Sequence, residues 1–260
     1  MFEKVKLMQE KAMERAALAP ALLPTWPETK RATPSAFLRS ALFSAVQSKN
    51  RVFLNAVVLG SQEGITVRFT GEQLNQEDLT LWENLVHLAK ERPLGNVCEF
   101  TAYDILKTIG LGDGGIERQI LHKGIIRLTA CAVEILVDGK NTYFSNLIAQ
   151  GIRDEETGYY KIQLSKSLIK LYNQNTWVDF EQRAKLRKKP LAQFLHGYYS
   201  SHKAPFPVKI ETLYKLSGSK NKQKADFKRK IIASLGELVK IGFLEGYSIN
   251  TDKIEVKKIP

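Results

Sequence analysis

Three observations predict an α+β protein of two winged helices in tandem, preceded by a helical arm and a Pro-rich linker. The order helix, turn, helix, hairpin occurs twice along the 260 residues. In the second copy the helix after the turn has one apolar side and one cationic side. Positive charge also gathers there: residues 177–260 hold 18 Lys and Arg against 8 Asp and Glu, whereas the other 176 hold 21 against 19. These patterns divide the chain into an arm and linker (1–34), a first domain (35–176) and a second domain (177–260).

Residues 1–19 carry Phe2, Val5, Met8 and Ala12 three or four apart, the repeat of one helix face. They read as an arm, with a partner or dimer helix and a membrane-surface helix as the alternatives. Pro20, Pro24, Pro27 and Pro34 then mark a linker, and the Trp26 within it suggests docking onto the first domain. Ser35 reads as the N-cap of a helix over 35–47, with Phe37, Leu38, Ala41, Leu42 and Ala45 as its apolar face. Residues 51–59 and 65–70 read as strands joined through a Gly-flanked turn. Residues 75–90 read as an amphipathic helix with Leu79, Trp82, Leu85, Val86 and Ala89 inward, stopped by Pro93 and Gly95.

The first helix-turn-helix follows: a helix over 101–109, a glycine-rich turn over 110–115 and a second helix over 116–129. Residues 130–137 and 141–148 make a hairpin about Asp138-Gly139-Lys140, a strong turn signal, and residues 159–164 add a strand. The second helix carries Glu117, Arg118, His122, Lys123 and Arg127, a mixed face better suited to protein or backbone contact than to reading bases. A short helix over 167–172 and an extended join over 177–180 lead on. Residues 181–201 read as the leading helix of the second domain, with Leu191, Phe194, Leu195 and Tyr198 at core spacing.

In the second copy Ile210, Leu213, Tyr214 and Leu216 suit a short helix, and Gly218 suits the sharp turn after it. Ser219 reads as the N-cap of the next helix. Phe227, Ile231, Leu235 and Leu238 share its apolar face, while Lys222, Asp226, Arg229 and Ala233 lie opposite, with Lys230 beside them. Residues 243–249 and 253–259 read as two strands about Asn250-Thr251-Asp252. This arrangement lays its second helix in a DNA major groove. The assigned DNA contacts are Lys222 and Arg229, with Ser219, Lys220, Asn221, Lys224 and Lys230 in support and Lys253 on the wing. Arg187, Lys188, Lys189 and Lys203 are assigned as secondary phosphate contacts.

The net charge of +12, concentrated beside a groove-reading motif rather than an apolar face, points to nucleic acid and not to membrane. Cys98 and Cys131 stand 33 apart without a Cys-x-x-Cys, so no disulfide framework or zinc site is expected and both read as buried small hydrophobes. The absence of a long apolar run or a signal-peptide pattern predicts a cytoplasmic protein. Neither a metal nor a cofactor is expected. The enzymatic alternative is a protein that nicks DNA. Its chemistry needs an activated tyrosine and a metal held by His-x-His. His87, His122, His196 and His202 contain no such pair, there is no phosphate-binding Gly-x-x-x-x-Gly-Lys-Ser/Thr, and Tyr198 falls on the apolar face with Leu191 and Leu195. The chain therefore reads as a non-enzyme.

Several segments resemble the TrfA family of plasmid replication initiators: Leu38-Arg39-Ser40-Ala41-Leu42-Phe43, Phe69-Thr70-Gly71-Glu72-Gln73-Leu74, Arg92-Pro93-Leu94-Gly95 and Phe100-Thr101-Ala102-Tyr103 with Arg127-Leu128. The most distinctive is Leu195-His196-Gly197-Tyr198-Tyr199-Ser200-Ser201-His202, followed by Pro205-Phe206-Pro207 and by Leu213 through Gly218-Ser219. The resemblance runs from about Ser35 to the end of the chain. It implies binding to direct repeats (iterons) in double-stranded origin DNA, help in opening an A+T-rich region, recruitment of the host initiator and replicative helicase, and a monomer–dimer equilibrium. Some members carry a Gln-Leu-x-Leu-Phe sliding-clamp motif. Here that neighbourhood reads Leu18-Ala19-Pro20-Ala21-Leu22-Leu23-Pro24, so clamp binding is not carried over. A DNA-binding repressor without initiator function is the remaining alternative.

Overall fold

The computed structural model describes residues 23–90 and 96–259, so the arm expected over 1–19, Pro20 and the helix stop at Pro93 and Gly95 lie outside the described residues. The chain runs through β1 (Lys30–Pro34), α1 (Ser35–Leu38), β2 (Phe53–Leu59), β3 (Ile65–Glu72), α2 (Gln76–Ala89), β4 (Val97–Thr101), α3 (Ala102–Thr108) and α4 (Gly115–Ala130). There follow β5 (Ala132–Val137), β6 (Asn141–Ser145), β7 (Ile148–Arg153), β8 (Tyr159–Leu164), α5 (Lys166–Ile169) and β9 (Asn175–Asp179). The remainder is α6 (Phe180–Lys185), α7 (Pro190–Ser200), β10 (Val208–Lys209), α8 (Ile210–Leu216), α9 (Lys224–Lys240), β11 (Leu244–Asn250) and β12 (Lys253–Lys258).

One order of elements occurs twice. It is α2, β4, α3, α4, β7, β8 in the first half and α7, β10, α8, α9, β11, β12 in the second. Each run closes an antiparallel three-stranded sheet with its first strand beside its last, β4-β8-β7 and β10-β12-β11. The buried apolar residues form two clusters, one from Leu23 to Val178 and one from Leu186 to Val256.

Local chemistry starts these elements where the sequence asks. The Asn75 side chain accepts from the Glu77 and Asp78 N–H groups while Asp78 accepts from the Asn75 N–H, a reciprocal cap for α2. Thr101 and Asp104 repeat it for α3. Leu79, Trp82, Leu85, Val86 and Ala89 are all buried, as the helical spacing predicts. Val67 and Phe69 on β3 and Val133 and Ile135 on β5 alternate inward, so the four-stranded sheet β2-β3-β5-β6 lays one face on the first core.

Four expectations are corrected. The end of the linker, Lys30–Pro34, is a strand: β1 pairs along its length with β9. Trp26 is buried, stacks on Tyr172 with ring centroids 6.3 Å apart and donates to His87 Nδ1 at 3.0 Å. Pro34 is tolerated at the end of β1 because a two-stranded sheet is all edge.

The helix expected over 35–47 stops at Leu38. Its periodicity is genuine, since Phe37, Leu38, Ala41 and Leu42 are buried, but distant acceptors take its backbone donors. Ala41 N–H bonds Gly60 O at 2.7 Å, Ser44 N–H bonds Leu74 O at 3.0 Å and Ala45 N–H bonds Ser217 O at 2.7 Å. Residues 39–45 thereby form a wedge between the two halves.

The helix expected over 181–201 is split into α6 and α7. Lys188 has a positive φ of 63°, and Pro190 starts α7, where no N–H is needed. Finally, the hairpin after α4 forms but does not complete the repeated order of elements. β5 pairs with β3 as well as with β6, and the hairpin that completes the repeated order is β7–β8.

Candidate nucleic-acid interface

The cationic side of the second copy rests on a well-anchored helix. Phe227, Ile231, Leu235 and Leu238 of α9 are buried in the second core, with the Phe227 ring edge-on to Tyr214 at 5.1 Å. α9 begins at Lys224, four residues later than a Ser219 cap implies. The Ser219 hydroxyl instead accepts from the Asn221 N–H at 3.3 Å, and the Tyr214 hydroxyl donates to Asn221 O at 3.0 Å. Serine side chains that bond to nearby backbone in this way compete with helix formation. Gly218 is required in the turn on two counts. Its φ is +61°, and a Cβ there would stand 2.8 Å from that of Ser44.

Lys222 and Lys224 are exposed at the entry to α9, and Arg229 is 80% exposed one turn further on. Asp226 on the same face ion-pairs with Arg229 and lies 3.8 Å from Lys230 Nζ, which also donates to Asn221 Oδ1 at 2.7 Å. Exposed pairs of this kind are worth about 0–1 kcal/mol, so an arriving phosphate displaces the carboxylate at little cost. Lys220 Nζ reaches across to Asn50 O at 3.0 Å. The turn is thereby tied to the first half of the chain.

The sheet behind α9 carries a basic pair, of which sequence reading found Lys253 and missed Lys209. Lys209 lies directly opposite Lys253 in the β10–β12 register, and Lys253 also pairs with Asn250. Like charges directly opposite destabilise a sheet and favour an anion between them. No periodic signal marks a two-residue strand, so β10 could not be found from the pattern alone.

The secondary contacts are dispersed. Arg187 donates to Gly110 O, and Lys189 pairs with Glu237 at 2.6 Å. Lys188 is exposed and makes no ion pair among the described residues; Lys203 is exposed beyond α7. Two clefts flank the connector over 186–189, between α6 and α7. One, of about 570 Å³, opens against α4 and is lined by Ser48, Arg51, Ile120, Arg127, Arg187 and Lys188 among others. The second, of about 800 Å³, opens against α9 and is lined by Asn50, Arg51, Lys189, Lys220, Asn221 and Lys230 among others.

The helix in the matching place of the first copy, α4, has most of its charge already engaged. Arg118 pairs with Asp113 at 2.7 Å, and Arg127 pairs with the buried Asp78 at 2.9 Å. His122 Nδ1 lies 3.1 Å from the Tyr160 hydroxyl. Ile116 and Ile120 are 71% and 51% exposed. Of the residues weighed for nicking chemistry, Tyr198 and Tyr199 are buried in the second core, where desolvation raises both phenols. His196 is fully buried, and desolvation with the nearby Arg183 guanidinium lowers it to about 3. Cys98 and Cys131 are both buried. No helix among the described residues is long and apolar enough to cross a membrane.

A family model described as TrfA protein matches residues 4–258. The plasmid replication initiator protein TrfA of Escherichia coli is 25% identical over 240 residues, covering 90% of this chain and 63% of that protein. The chain thus spans less than two thirds of that relative's length. Domains 2 and 3 of RctB, solved as a selenomethionine derivative, match with a TM-score of 0.58 at 15% identity, over 87% of this chain and 98% of that one. The Pi initiator protein in complex with iteron DNA matches with a TM-score of 0.51 at 14% identity, over 71% of this chain and 95% of that one. These two likenesses establish a shared fold of mixed helix and sheet.

Proposed function

The chain belongs to the TrfA family, and from that membership we propose that it initiates plasmid replication by binding iterons in double-stranded origin DNA. The twice-repeated element order is read as two winged helices in tandem, with domains over 35–176 and 177–260. α9 lies in the major groove, Arg229 and Lys222 meet bases or phosphates, and Lys209 with Lys253 straddles the adjacent backbone. The iteron DNA bound by the Pi initiator protein is the model for the ligand. The single observation that carries the reading is α9 itself: one flank is sealed into the core, the other is cationic, and the hairpin that follows joins β10 in a three-stranded sheet.

Opening of the duplex, recruitment of the host initiator and replicative helicase, a monomer–dimer balance and residence in the cytoplasm belong to the same proposal. The protein is assigned no catalytic step, cofactor or metal. The deciding experiment supplies the full chain in trans to a plasmid whose only origin is that of its parent replicon. Maintenance of the plasmid, lost with Arg229→Ala, supports initiation. Origin binding without maintenance leaves a repressor. A covalent tyrosine–DNA adduct formed on supercoiled origin DNA with magnesium overturns the non-catalytic assignment.

A further inference from the structure

The strip between the two clefts is built from both halves of the molecule. The first half gives the short turn Ser48–Asn50, and the second gives the connector over 186–189. Ser48 and Arg51 border the α4 cleft together with Arg187 and Lys188, and Asn50 and Arg51 border the α9 cleft together with Lys189. The strip is cross-braced to both helix-turn-helix turns. Lys220, from the turn before α9, holds Asn50 O, and Arg187 of the connector holds Gly110 O, from the turn before α4.

Its cations differ in what they are free to do. Arg51 is committed: it pairs with Asp78 at 2.7 Å and bonds Gln73 O at 3.1 Å. Lys189 is held by Glu237. Lys49 and Lys188 are exposed, and neither has an acidic partner among the described residues. Lys188 also stands at a positive φ, a conformation that disfavours every side chain except those of Gly, Asn and Asp. A lysine kept in that position carries a backbone cost without any internal ion pair to offset it.

We propose that this strip is a third DNA-contacting element, in which Lys49 and Lys188 neutralise the backbone phosphates that lie between the stretch met by α9 and the stretch facing α4. A duplex seated on α9 and extending toward the first half must cross the strip, because Lys220 holds the strip against the turn that precedes α9. The inference rests on the DNA-binding reading of α9. It adds a contact that neither winged helix supplies by itself.

The test uses the full chain and the duplex that it selects from a random pool, with binding followed across a salt series. The variant is Lys49→Gln with Lys188→Asn, since asparagine tolerates the left-handed backbone and both side chains are exposed, so the melting temperature is expected to hold. Binding should weaken about tenfold at moderate salt, and the slope of log K against log salt should become shallower by about 2. Hydroxyl-radical protection between the two flanking contact patches should disappear. Unchanged affinity, slope and protection, with Arg229→Ala still weakening binding, overturns the strip and leaves α9 as the reader. Intact DNA binding with lost plasmid maintenance makes the strip a protein-docking surface and also overturns it. If the chain selects no duplex at all, the reading of α9 falls and the strip with it.

Discussion

α4 and α9 occupy the same place in two copies of one element order, and they are 16 and 17 residues long. Their outward faces are opposites. α9 presents Lys224, Arg229 and Lys230 to solvent with one carboxylate, Asp226, among them. α4 presents Ile116 and Ile120, and its arginines are spent on Asp113 and on Asp78. The scaffold therefore fixes where a helix stands, and the residues on its free flank decide what it can touch. The same contrast holds for the histidines of the two leading helices. His87 of α2 is tied to Trp26 and lies 2.7 Å from Glu28. His196 of α7 is sealed against Phe243, with only Gln182 within bonding distance of Nε2.

The comparison breaks first at the joint that holds the copies together. Arg183 of α6 and Glu83 of α2 are each 1% exposed and 3.1 Å apart, and Arg183 also donates to Gln76 O and to Gln193 O. Glu83→Ala leaves a buried guanidinium without its partner, so urea unfolding should show a loss of about 3–5 kcal/mol.

Acid should come next. The folded-state pKa of His196, at about 3, is depressed below its unfolded value near 6.5. The unfolded chain therefore binds the extra proton between those two values, and stability is complete above the unfolded pKa and falls as the pH drops below it. By pH 5 the loss from this residue should reach about 2 kcal/mol. A His196→Gln variant should show a flatter pH–stability profile over the same window, and a profile as steep as the parent's would place the sensitivity elsewhere.

On DNA, Arg229→Ala should cost about 1–3 kcal/mol of binding, whereas Arg118→Ala on α4 should stay within about 0.5 kcal/mol. Equal losses would erase the distinction between the two helices. The smallest effect is expected on the wing, where Lys253→Gln should weaken binding to all sequences alike and reduce the salt slope by about 1.

Much of this was legible in the residues because short-range rules governed it. Leu79, Trp82 and Leu85, and then Phe227, Ile231 and Leu235, follow the helical period. The β11–β12 hairpin follows the period of a strand, and Asp138-Gly139 announces its own turn. The basic flank of α9 was visible for the same reason, since burial of one side fixes the direction of the other. Most of the failures trace to contacts distant along the chain. Nothing within residues 35–47 reveals that Gly60, Leu74 and Ser217 will claim their backbone donors. The Ser219 cap failed for a local reason, since its hydroxyl closes a turn with the Asn221 N–H. The hairpin that completes the first copy was misplaced because β5 is as good a hairpin strand as β7, and only its pairing with β3 separates them.

The wedge over 39–45 has a consequence for how the molecule comes into being. Ala45 leaves the ribosome long before Ser217, the residue whose carbonyl its amide will bind. Until then the flank of the nascent first half that will receive Gly218 faces solvent, and it closes only once Ser217 and Gly218 have been made. A chain truncated before Ser217 would leave that flank open.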